Sequence, residues 1–133
     1  MSDDVFDLAR HPVHLGLGAT AVRLAEFDGT PEWYARYGAA TAADGAEGRL
    51  VSLHTFTEDW DTWEVHPRGQ ELVVCVEGSL TLHQKVGDEV RSVTLTAGQA
   101  IVNDVGVWHT ADVPQRATAL FITAGEGTEN LPR

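Results

Sequence analysis

The sequence predicts an all-β sandwich or closed barrel built as a single domain, and three observations carry that reading. After Arg49 the apolar residues recur at period two in short runs, glycine-bearing turns separate those runs, and one segment alone carries helix punctuation. With 133 residues the chain is long enough to bury a core without metal or disulfide staples. A bound metal in such a chain is expected to serve function rather than folding.

Residues 1–48 read as an N-terminal arm, 49–127 as the β core and 128–133 as a C-terminal tail. Within the arm, residues 1–18 hold His11-Pro12 and Gly16-x-Gly18, which suit an extended segment, with His11 and His14 expected at the surface. Val22, Leu24 and Phe27 mark a first strand. Thr30-Pro31-Glu32 followed by Gly38 supplies an N-cap, a proline in the first helical position, an acid in the first turn and a C-cap, so one short helix is predicted there. The small residues 39–48 read as a flexible linker.

Strands are predicted at 50–56, 62–66, 71–77, 79–84, 90–95, 100–103 and 117–123. Turn signals lie between them at Glu58-Asp59, Pro67-Arg68-Gly69, Gly78, Gly87-Asp88, Gly98, Gly106 and Pro114. No repeat of fixed period is present. The run Leu72-Val73-Val74-Cys75-Val76 is apolar on both faces, whereas a strand with one solvated face alternates. Either the arm or a second subunit must cover its outer side, and a homodimer is the expected assembly.

Charge and composition exclude some functions. Nine basic against 20 acidic residues give a formal charge of −11, a field that repels phosphate backbones and anionic lipid, so neither nucleic acid nor a membrane is an expected partner. Cys75 is the lone cysteine and sits in an apolar run, as a small core residue of a reducing compartment would. The first residues are acidic and lack the basic and apolar regions of a signal peptide, and no run of about 18 apolar residues occurs. A cytoplasmic protein is expected. Phosphate cradles, nucleophile elbows and paired thiolate motifs are absent.

The chemistry concentrates in residues 63–78. Positions i and i+2 of a strand share a face, so Glu64 and His66 point the same way. The turn at 67–70 then returns the chain so that Glu71 approaches them across the ladder. His109, far along the chain, is the fourth candidate. Two imidazoles and two carboxylates form a mixed nitrogen and oxygen donor set that suits manganese, iron, nickel or zinc, with positions left open for a small-molecule ligand. The competing reading is a buried cluster in which each imidazole pairs with a carboxylate.

The spacing resembles the small single-domain bacterial cupins. Their first motif, His-x-His, three or four residues, Glu, six residues, Gly, is matched by Glu64-x-His66, Glu71 and Gly78, with Glu64 in the place of the first histidine and no leading glycine. Their second motif is matched by Gly98, Asp104-x-Gly106 and His109, with Asp104 and Val113 in place of proline and asparagine. The resemblance implies a jelly-roll β-barrel with the metal bound inside by Glu64, His66, Glu71 and His109. It also implies a metal-dependent oxygenase, isomerase or lyase in which Glu64 or Glu71 moves protons, or else a non-catalytic small-molecule-binding or sensing module. His54 reads as a core or edge histidine and His83 as structural or exposed. Trp60, Trp63 and Trp108 flank the motifs as candidate walls of a pocket, and packing is the expected role of at least two of them. Glu58, Asp59 and Asp61 read as a solvated loop near the barrel mouth, with repulsion of anionic ligands as a second role open to them.

Overall fold

In the computed structural model, which describes residues 4–133, the described chain forms ten strands in one continuous hydrogen-bonded arrangement. The N-terminal arm supplies β1 (Val13–Gly16), β2 (Thr20–Arg23) and the helix α1 (Pro31–Thr41). The barrel follows with β3 (Arg49–Phe56), β4 (Thr62–Val65), β5 (Glu71–Val86), β6 (Glu89–Thr96), β7 (Ala100–Asn103), β8 (His109–Asp112), β9 (Ala117–Thr123) and β10 (Glu129–Pro132). All pairings are antiparallel. One layer runs β2-β1-β3-β9-β5-β7 and the other runs β10-β4-β8-β5-β6. β5 belongs to both layers, so the two sheets close as a jelly roll around a shared strand.

The sequence reading broke β5 at Gly78, but the strand continues through it. Glu71, Val73 and Cys75 are buried on its first half and Leu80, Leu82 and Gln84 on its second. The inward set changes from odd to even positions because a bulge falls between Cys75 and Glu77. Gly78 takes φ +75°, and a Cβ there would lie 2.0 Å from the carbonyl oxygen of Arg116. Glycine is therefore required by the bulge and the close approach of β9, not by a turn. Val73, Cys75, Leu80, Leu82, Leu95, Ala111, Val113, Ala117, Ala119 and Phe121 form the apolar core.

The expectations for the arm and tail need correction at several points. Thr30 caps α1 as predicted, its hydroxyl accepting from the Trp33 amide at 3.2 Å. Gly38 does not end the helix, which runs on to Thr41 and continues as a 3₁₀ segment, Ala42–Glu47, where a flexible linker was expected. His14 is buried, not at the surface: Nδ1 meets the Tyr37 hydroxyl at 2.7 Å and Nε2 the Asp44 carboxylate at 2.6 Å. That bridge fastens β1 to the helical segment, which explains why the segment holds its shape. Residues 128–133, read as a tail, contain β10, which pairs along the whole of β4. β8 was also missing from the strands read in the sequence.

The strand Leu72–Val76 is covered inside by the core, while Leu72 and Val74 on its outer side stay partly exposed. The arm joins the layer edge-on, β1 pairing β3. No helix among the described residues is long and apolar enough to cross a membrane.

Candidate metal centre

Strand register brings the four predicted residues to one place at the inner end of a cavity. Glu64 on β4 stands opposite His109 on β8. Glu71 opens β5 and is paired on one side with Asn103 of β7 and on the other with Thr123 of β9. Donor atoms of Glu64, His66 and His109 all lie within 4.8 Å of one another. His66 and His109 are buried with ring centroids 5.0 Å apart, and Glu64 is one-third exposed toward the cavity.

Each imidazole is held from behind. His66 Nδ1 lies 2.8 Å from the Thr128 hydroxyl, and that hydroxyl donates its own proton to the Gly125 carbonyl at 2.8 Å. A hydroxyl that has spent its proton can only accept, so His66 Nδ1 carries the hydrogen. His109 Nδ1 faces the Val107 carbonyl at 3.1 Å, and a carbonyl likewise only accepts. Both rings therefore carry hydrogen at Nδ1 and turn Nε2 to the front. Outer partners that fix tautomer and ring orientation in this way are what metal-ligating histidines have.

At the front stands Glu71. Its Oε1 is 3.2 Å from His109 Nε2 and its Oε2 3.2 Å from His66 Nε2. These contacts have ion-pair distance but not hydrogen-bond direction, and both Nε2 atoms are buried without a hydrogen-bond partner. A lone pair set against a carboxylate oxygen is repulsive unless a proton or a cation lies near both. The competing picture of a self-neutralised cluster accordingly leaves its nitrogens unsatisfied, and the donor set fits a divalent ion.

The carboxylates differ. Asn103 Nδ2 donates to Glu71 Oε1 at 3.0 Å and the Thr123 hydroxyl to Oε2 at 2.6 Å. Burial pushes the Glu71 carboxyl up, but the two imidazoles against it outweigh burial and hold it well below the usual carboxylate range. For His109, burial opposes protonation and Glu71 overcomes it, raising the imidazole above its ordinary value. Glu64 shifts the other way, upward, first through burial and then through the charge of Glu71.

Asn103, Thr123 and Thr128 escaped the sequence reading. The first two flank Glu71 only through pairings with distant strands, and the one available signal was their polarity at inward positions of otherwise apolar runs. Trp60, Trp63 and Trp108 divide as follows: Trp60 walls the cavity, Lys85 lies over the ring of Trp63, and Trp108 is partly buried away from the cavity. His83 bridges Ser92 and Asp112 at 2.7 and 2.8 Å, in the structural role expected of it. His54 also lines the cavity, packed against Phe27, Phe56 and Phe121.

No protein-family model matches the chain, and no curated protein matches it in sequence. Solved structures do match. An oxalate oxidase is 19% identical with a TM-score of 0.52, over 60% of this chain and 44% of that one. Oxalate oxidase in complex with the substrate analogue glycolate gives 19%, 0.53, 61% and 45% in the same terms. A cupin-2 domain containing protein from Shewanella frigidimarina is 22% identical with a TM-score of 0.48, over 64% of this chain and 71% of that one. The match spans less than half the length of the oxalate oxidases. At such identities the likeness is one of fold: the chain shares with the oxalate oxidase structures a jelly roll, here closed around β5.

Proposed function

We propose that the protein is a metal-dependent enzyme acting on a small molecule, with Glu64, His66, Glu71 and His109 holding one divalent transition ion at the inner end of the cavity. The observation that supports this most is the pair of buried Nε2 atoms, each fixed from behind at Nδ1 and each facing a carboxylate without a hydrogen bond. Manganese, iron, nickel and zinc all suit two nitrogens and two carboxylates. When bound, the ion supplies Lewis acidity toward a substrate oxygen. Glu71, gripped by Asn103 and Thr123, acts as a fixed anionic support. Glu64, one-third exposed toward the cavity, is the carboxylate of the set placed to exchange a proton with the substrate.

Metal analysis of protein purified without chelator, followed by reconstitution, tests this. One equivalent per chain in the parent and loss of it in His109→Ala are expected. A parent protein that takes up none of the four metals would refute the assignment.

The same reading extends to assembly as a homodimer through the outer face of the β3-β9-β5 layer. Val51 and Leu53 stand beside Ile122 and Leu120, which stand beside Leu72 and Val74, and all six are only partly buried. Val102, paired with Leu72, is 50% exposed. A contiguous apolar face of this kind is characteristic of a subunit interface.

A further inference from the structure

The cavity leading to the four candidate ligands measures about 1080 Å³, and its wall is selective in two respects. The first is aromatic surface. Phe27 of the arm packs on Tyr34 of α1 at 5.7 Å between ring centroids and on His54 at 5.1 Å. His54 meets Phe121 at 5.8 Å, Phe121 meets Trp60 at 6.0 Å, and Trp60 meets His109 at 6.5 Å. A continuous row of rings thus runs from the arm to a candidate ligand, and every member but His109 lines the cavity.

The second is charge. Glu58, Asp59 and Asp61 line the mouth, Glu64 and Glu71 the inner end, and among the described residues no lysine or arginine lines the cavity. His54, kept from protonation by burial, adds no positive charge. If the four ligands hold a divalent ion, as proposed above, Glu64 and Glu71 balance it, and the three mouth carboxylates have no ion-pair partner among the described residues, Asp59 accepting the Val113 amide at 2.7 Å. A carboxylate or phosphate ligand would enter against that field and find no ammonium or guanidinium to receive it. A flat ring without acidic groups meets apolar aromatic surface along the whole path, and a positive charge on it is favoured at the mouth and over ring faces.

We propose that the substrate is a phenol- or catechol-class aromatic compound bearing no carboxylate or phosphate, its ring seated among Phe27, His54, Phe56, Trp60 and Phe121 and its hydroxyl directed at the four ligands. Three probes that share one diol ring decide this: neutral 4-methylcatechol, cationic dopamine and anionic 3,4-dihydroxybenzoate. Each is titrated calorimetrically into zinc-loaded protein, with zinc content measured beforehand. The neutral and cationic probes are expected to bind at least about tenfold more tightly than the anionic one. In the double variant Glu58→Gln, Asp61→Asn, both positions being exposed, that gap should narrow. Equal or tighter binding of dihydroxybenzoate, no binding of any probe, or an unchanged gap in the double variant overturns the proposal. A protein that takes no zinc yet keeps the probe order overturns the metal assignment alone; zinc-loaded protein that prefers the anion overturns the substrate class alone.

Discussion

Replacing Thr128 by valine separates a metal centre from a structural cluster, because His66 is the candidate ligand that Thr128 hydrogen-bonds. Its hydroxyl is 2.8 Å from His66 Nδ1, and with its proton committed to Gly125 it holds His66 in the tautomer that presents Nε2 forward. Valine keeps the shape and removes the acceptor. Thr128 is exposed and precedes β10, and its amide bond to the Gly125 carbonyl, 3.1 Å, is independent of the side chain, so little folding stability is at stake. Loss of such an outer partner lowers metal affinity by about 10- to 100-fold. That factor corresponds to about 1.4–2.8 kcal/mol. The assay is a zinc titration against a chromophoric chelator, with thermal unfolding of the metal-free proteins as the control. Thr128→Ser, which restores the hydroxyl, should bind within about threefold of the parent. Valine binding zinc as tightly as the parent, or serine failing as valine does, would refute the reasoning.

Three other substitutions probe the scaffold and the assembly. Gly78→Ala places a methyl against the Arg116 carbonyl at a left-handed φ, and a loss of more than about 3 kcal/mol in urea unfolding, or failure to accumulate as folded protein, is expected. Burial lowers the affinity of His54 for a proton, so the folded chain binds fewer protons there than the unfolded one once pH falls below about 6.5, and stability drops in that direction. His54→Phe should therefore gain on the parent as pH is lowered from about 7.5 to 5.5, and a pH-independent difference would contradict the buried, neutral assignment. Leu120→Asp puts a charge in the middle of the outer apolar face and should convert a dimer to a monomer by light scattering, with zinc binding retained; a parent protein already monomeric at micromolar concentration would remove the interface.

Local chemistry made much of this protein legible from its sequence. Period-two alternation after Arg49 announces strands because side chains on a pleated backbone alternate faces. The spacing Glu64-x-His66 places two donors on one face for the same reason, and the turn at 67–70 carries Glu71 back to them. The cap at Thr30 is equally local, one hydroxyl meeting one amide three residues on.

What the sequence left open depends on pairings between residues far apart in the chain. The partners of Glu71 are Asn103 and Thr123 because β7 and β9 register against β5 there, and no pattern within any of those strands specifies that register. Gly78 looked like a turn because glycine marks turns and bulges alike, and only the neighbouring β9 backbone distinguishes them. His14 looked exposed until the 3₁₀ segment brought Asp44 to it. Sequence alone thus singled out the four candidate ligands and the strand face that Glu64 and His66 share. The tertiary structure decided which nitrogens are held from behind, which carboxylate is gripped and which stays open to the cavity, since those depend on distances that only the closed barrel sets.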